Sequence, residues 1–224
     1  MNKVFLIGDN ENLISEVSGL LTDGYDIADE LDDSVDFIFE LTNSDEEVKS
    51  KILGFINEKN SKGIIISSSL CITVLEQCVN SKYPERLTGA GLYPTVSKSK
   101  GIELTKSKFT SAGNFDKVKK LFEDCGKEVH EVNDRVGMIS MRIISLIINE
   151  AYLVLQEGTS TKEDIDTAMR LGTNYPYGPI EWSEKIGIEL IYNILKSMYD
   201  EFGDDRYRIT PLLKEKYLEL MKHS

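Results

Sequence analysis

The stretch Asn133–Gly187, NDRVGMISMRIISLIINEAYLVLQEGTSTKEDIDTAMRLGTNYPYGPIEWSEKIG, decides the fold. From Met138 to Leu155 the residues are mostly Met, Ile, Leu, Val, Ala and Tyr, and the polar Arg142, Ser145, Asn149 and Glu150 recur three to four apart. That is helical periodicity with a very wide apolar face. A helix this apolar needs partners on more than one side, within a helical bundle or from a second copy of the chain. Thr159 to Glu163, TSTKE, carries helix-start residues, and DIDTAM continues that helix until PYGP breaks it. Ile180–Tyr199 predicts one further helix with the stripe Ile186, Leu190, Ile191, Ile194, Leu195 and Met198, and PLLKEKYLELM predicts a last one.

Working outward toward the N-terminus, the pattern changes at about residue 132 to β-rich alternation with helices. The opening KVFLIGDNENLISEVSGLL reads as strand, turn and helix, the start of a dinucleotide-binding fold. After Gly8, however, come Asp9, Asn10, Glu11 and Asn12, where a phosphate-binding turn wants two further glycines. Acids at a helix N-terminus suit the helix dipole and oppose a bound phosphate. Asp29 stands 21 residues beyond Gly8, the spacing of a ribose-binding carboxylate, inside an acidic run that includes Asp23, Asp26, Asp32, Asp33 and Asp45. YDIADE and SVDFIFELT predict further strands, EEVKSKILGFINEK a helix, and KGIIISSSLCITVLEQCV a buried strand that ends in serines and passes into a helix. Hydroxyls at the carboxyl end of a strand lie where open α/β folds bind ligands. LTGAGLYPTVSKSKGIELTKS then predicts two strands about a glycine-rich turn, the second carrying Glu103. FTSAGNFDKVKKLFEDCGKEVHEV predicts an amphipathic helix and a short strand. His130 falls in that strand and reads as an edge residue; His223 falls at the C-terminus, where disorder is the default.

Composition narrows the function classes. A net charge of -12 disfavours nucleic-acid partners. No apolar run approaches the length of a membrane span or a signal peptide, so the expectation is a cytoplasmic protein. Three scattered cysteines, Cys71, Cys78 and Cys125, predict reduced structural thiols, with no disulfide framework and no metal site.

The two halves together resemble the 3-hydroxyacyl-CoA dehydrogenase family. NDRVGMISMRIISLIINEAYLVLQEG is similar to that family's domain junction and first long helix, and STKEDIDTAMRLGTNYPYGPIEWSEKIG to its signature helix and Pro-Gly loop. More weakly, SSSLCIT resembles its serine-rich strand end, RLTGAGLYP its histidine-bearing turn, and GIELTKS its glutamate-bearing strand. The resemblance implies an α/β Rossmann-like NAD-binding domain, shortened here, over residues 1–132, and an all-α dimerisation domain over residues 133–224. It also implies hydride transfer between NAD and a 3-hydroxyacyl-CoA, with a histidine base oriented by a glutamate and assisted by a serine and an asparagine.

Carried over by position, the glutamate matches Glu103 and the serine Ser68, while the cofactor turn and the ribose acid match Gly8 and Asp29. The histidine's place is taken by Gly91 in a turn one residue shorter, the asparagine before Arg142 becomes Met141, and an asparagine beside the serines becomes Ile66. Only ELDDSV stands where the family has a long helical segment that helps hold CoA. The sequence therefore predicts a catalytically degenerate, homodimeric member kept as a scaffold or as a binding protein for an acyl-CoA or other small molecule. The alternative is an active NAD-dependent 3-hydroxyacyl-CoA or 3-hydroxy acid dehydrogenase with a non-standard base. Tyr93, beside the missing histidine, would need strong perturbation from about 10 to serve as that base at pH 7.

Overall fold

The computed structural model describes all residues except Thr22, Asp23, Ser44, Asp45, Asn80 and Ser224, and the side chain of His223. Two acids of the acidic run, Asp23 and Asp45, and the expectation for His223 therefore lie outside the described residues. The chain divides into two compact units, Met1–Met138 and Ile139–Ser224.

The first unit is a seven-stranded sheet flanked by helices. Its strands are β1 (Asn2–Ile7), β2 (Tyr25–Ile27), β3 (Phe37–Glu40), β4 (Ile64–Ser68), β5 (Leu87–Ala90), β6 (Gly101–Thr105) and β7 (Glu128–Glu131), in the order β2-β1-β3-β4-β5-β6-β7. The pairs from β2 through β5 are parallel, β6 runs antiparallel to β5, and β7 runs parallel to β6. β3 and β4 are buried along their whole length, as near-continuous apolar runs in the middle of a parallel sheet should be. α1 (Glu11–Leu20) and α4 (Ala112–Asp124) share one core layer with Val4, Phe39, Ile66 and Leu104. α2 (Glu46–Lys59) and α3 (Val74–Val79) contribute Leu53, Ile56 and Val74 to the other, beside Ile38, Ile65 and Leu87. The expected strand at Tyr25–Glu30 is shorter, ending at Ile27. His130 lies on the edge strand β7 with its side chain half exposed.

The second unit comprises α5 (Ser140–Gln156), α6 (Lys162–Thr173), α7 (Pro179–Ile186), α8 (Ile188–Phe202) and α9 (Pro211–His223). α5 packs against α7, α8 and α9 through Met141, Ser145, Ile148, Asn149 and Tyr152. Its polar residues serve this packing. The Asn149 amide donates to Arg208 O and accepts from Thr210 N, both at 3.0 Å, and Tyr152 OH meets Ser183 Oγ at 3.1 Å. Thr161 caps α6, its hydroxyl accepting from Asp164 N. The helix expected over Ile180–Tyr199 is two helices, because Gly187 adopts φ 101°, a non-helical conformation that ends α7 before α8 begins. Among the described residues, no helix is long and apolar enough to cross a membrane.

Candidate functional site at the carboxyl edge of the sheet

The strand order places β1 beside β3 while α1 carries the chain the other way to β2, which creates a crevice at the carboxyl ends of the strands. Register brings the residues singled out in the sequence to this edge. Gly8 follows the end of β1, and Ser68 ends β4 opposite Ala90 of β5. Gly91 N donates to Glu103 O across the antiparallel pair at 2.9 Å, so Gly91 and Glu103 are neighbours. Alternation along the strands then puts Ser68 and Glu103 on opposite faces of the sheet.

The edge is tied together by its own side chains. Ser68 Oγ lies 2.6 Å from Asn43 Oδ1 and 2.9 Å from Leu92 O, and Asn43 Nδ2 donates to Leu92 O at 3.3 Å. The backbone N–H of Asn43 also points at Asp9 Oδ1, 3.5 Å away. Asn43 thus links the loops after β1, β3, β4 and β5. Sequence reading missed it, because an asparagine in an acidic loop carries no periodic or motif signal.

Beneath this link lies a buried polar network that the sequence reading also missed. Lys49 of α2 and Glu40 of β3 form an ion pair at 2.5 Å with both side chains almost wholly buried. Lys49 Nζ also donates to Thr42 O at 2.7 Å, and Glu40 Oε1 accepts from Thr42 N at 3.0 Å. Ser67 Oγ is 2.7 Å from both Glu40 Oε2 and Gln77 Oε1 and donates its single proton to one of them at a time. Gln77 Nε2 donates onward to Ser69 Oγ and Ile72 O, each at 3.0 Å. A buried strand ending in Glu40, with Lys49 on the next helix, was the available sequence signal.

At the position of the missing base stands Gly91, with ordinary van der Waals contacts around the place of a Cβ. A Cβ there would stand 3.4 Å from Met138 Sδ and 3.5 Å from Glu103 Cβ. Met138 is buried and holds φ 46°. Tyr93 is not a substitute: burial first, then the carboxylates of Glu103 and Glu16, push its phenol up to about 12. A group that holds its proton so tightly does not accept one at neutral pH.

The turn after β1 is shaped by packing. A Cβ on Gly8 would come within 2.8 Å of Leu41 Cβ, which accounts for the glycine without a ligand. The next two glycine positions of a phosphate-binding turn, at G-x-G-x-x-G spacing, are Asn10 and Leu13. Asn10 caps α1, its Oδ1 accepting from Leu13 N at 3.0 Å, and the Leu13 side chain is fully buried. The N-terminus of α1 is therefore capped from within and flanked by Asp9 and Glu11. This donor set does not fit a pyrophosphate. Asp29, two residues past β2, is exposed. Met141 belongs to the helical unit and is fully buried there, and Ile66 lies in the core of the first unit. All three cysteines are free thiols, and no group of His, Cys, Asp and Glu among the described residues has the arrangement of a metal site.

Residues 11–135 match the family description "3-hydroxyacyl-CoA dehydrogenase, NAD binding domain", and residues 137–221 match "3-hydroxyacyl-CoA dehydrogenase, C-terminal domain". The chain belongs to the 3-hydroxyacyl-CoA dehydrogenase family. The first of these matches begins past the turn at Gly8. This family member is 32% identical over 182 residues to a 3-hydroxybutyryl-CoA dehydrogenase of Clostridioides difficile, covering 80% of this chain and 64% of that protein. It is 44% identical over 93 residues to a 3-hydroxyadipyl-CoA dehydrogenase of Escherichia coli (strain K12), covering 42% of this chain and 20% of that one. The chain thus spans less than two thirds of the length of these curated relatives. Its fold is that of the (S)-3-hydroxybutyryl-CoA dehydrogenase structure from Ralstonia eutropha, with a TM-score of 0.78 at 23% identity over 96% of this chain and 93% of that one.

Proposed function

We propose that this family member no longer carries out hydride transfer and serves as a homodimeric scaffold or binding protein. The observation that carries the reading is the closure of the carboxyl edge by the protein's own groups. Ser68, matched to the family's serine, is engaged by Asn43 and Leu92 O, and position 91 has no side chain. Loss of general-base assistance alone costs about 10²- to 10⁴-fold in rate. The turn at Gly8 removes the favourable seat for NAD as well, so the two losses compound. Glu103 and Ser68 are then remnants of the catalytic set, and Gly8 and Asp29 remnants of the cofactor set.

Support for self-association comes from α5 and α6. Ile139 and Ile143 are each about half exposed, and an apolar groove of about 500 Å³ is lined by Leu146, Ile147, Val154, Ile165, Ala168 and Met169. The partner we propose is a second copy of this chain, in the cytoplasm; light scattering at micromolar concentration should give the dimer mass, and a monomer contradicts it. An acyl-CoA or another small molecule remains the ligand class that family membership supports.

Titration with NADH, followed by its fluorescence, tests the loss of function. No saturable binding in the micromolar range is expected, and no oxidation of NADH above background when acetoacetyl-CoA is added. Saturable binding with turnover would overturn the proposal in favour of an active dehydrogenase.

A further inference from the structure

The segment from Tyr93 to Ser99, which follows the turn at Gly91, is held by two charged side chains that come from distant parts of the first unit. Its centre is a single 3-10 turn, Val96–Lys98. At the start of that turn the Glu16 carboxylate of α1 accepts four hydrogen bonds. Thr95 N donates to Oε1 at 2.9 Å and to Oε2 at 3.0 Å, Ser97 N donates at 3.1 Å, and Ser97 Oγ donates at 2.8 Å. At its far end Lys127, just before β7, donates to Val96 O at 2.9 Å, Ser97 O at 3.0 Å and Ser99 O at 2.5 Å. An anion at the N-terminus of a turn and a cation at its C-terminus are the favourable arrangement for its peptide dipoles.

The arrangement is more than ordinary capping in two respects. Lys127 is buried, and the three described hydrogen bonds of its ammonium all go to backbone carbonyls, with desolvation pulling its pKa down. Thr95 sits at φ 85°, a left-handed conformation unfavourable for a β-branched residue, and its N–H is one of those bound by Glu16. A strained residue persists when its surroundings over-determine it, and here the Glu16 carboxylate does so. The chain leaving β5 runs through Gly91, Leu92 and Tyr93 directly into this clamp, and the Tyr93 carbonyl accepts from Val96 N at 3.0 Å.

We infer that Glu16 and Lys127 form an electrostatic latch that holds the 93–99 strap down and keeps Tyr93 at the Glu103 end of the sheet edge. The latch rests on the reading of a closed edge, and it adds to the Asn43–Ser68 link a second restraint, one that comes from residues remote in sequence from the family's catalytic set. Glu16 is a positioning residue. Its amide analogue keeps one acceptor and loses the charge, so the strap loosens while α1 stays intact.

Amide hydrogen exchange and nitration of Tyr93 by tetranitromethane in the Glu16→Gln protein test this. Exchange at Thr95 and Ser97 should rise by about tenfold or more, the usual effect of removing a charge-assisted bond. Tyr93 should become nitrated faster, while Ile65 and Ile66 in β4 exchange as in the parent. Ser97→Ala, which deletes only one of the four bonds, should move the same amides in the same direction by less. Exchange at Thr95 and Ser97 within about twofold of the parent would overturn the latch, as would a uniform rise through the sheet, which marks a purely global stabiliser. The NADH titration of the parent protein is independent of this result: cofactor binding there would refute the loss of function, whereas unchanged exchange in Glu16→Gln refutes the latch alone.

Discussion

The Pro-Gly loop of the helical unit and the serine-bearing edge of the sheet unit carry family motifs, and they have fared differently. In the loop Asp166 and Gly178 have the partners that their geometry demands. Asp166 caps α7 by accepting from Ile180 N at 2.8 Å and Glu181 N at 3.0 Å, and Gly178 lies so close that a Cβ would fall 2.2 Å from Asp166 Cβ. At the sheet edge the corresponding positions have been replaced or turned inward: Gly91 for the base, Asn10 and Leu13 for glycines, and Ser68 bound to Asn43. Packing and capping restrain the loop residues whatever the protein does. Under the proposed loss of hydride transfer, the edge residues are no longer restrained by a reaction.

Two substitutions would break that contrast. The largest effect is expected at the sheet edge. Lys49→Ala leaves Glu40 buried without its partner, and removing one half of a buried pair costs about 3 to 5 kcal/mol. Denaturant unfolding should show that loss. If stability is unchanged, the network beneath the edge is not what holds it. In the loop, Gly178→Ala should destabilise by about 2 to 3 kcal/mol, since the new methyl must displace the Asp166 cap. Circular dichroism during thermal unfolding would register it, and a neutral outcome would erase the distinction between the two regions.

How much of this was legible in the sequence follows from the range of the interactions. The periodicity of Met138–Leu155, the strand-helix alternation and the cap at Thr161 are local and could be read directly. The break at Gly187 was hidden because the apolar stripe of Ile180–Tyr199 continues through it, and only the positive φ of the glycine separates the helices. Glu103 and Ser68 could be placed at one edge by resemblance, but their partners could not. Asn43 lies 25 residues from Ser68, Glu16 lies 79 from Thr95, and no spacing rule connects such pairs. Tyr93 was expected to need strong perturbation to act as a base; its surroundings shift it the opposite way.

Position 91 has a consequence for the history of the chain under the proposed loss of function. A Cβ there would meet Met138 Sδ at 3.4 Å and Glu103 Cβ at 3.5 Å, ordinary contact distances, so the backbone itself would accept a side chain. What a restored histidine could not repair lies on another strand: α1 would still be capped by Asn10 and flanked by Asp9 and Glu11 where a pyrophosphate would have to sit. On this reading the two losses guard each other, and the path back to catalysis has no rewarding single-residue first step.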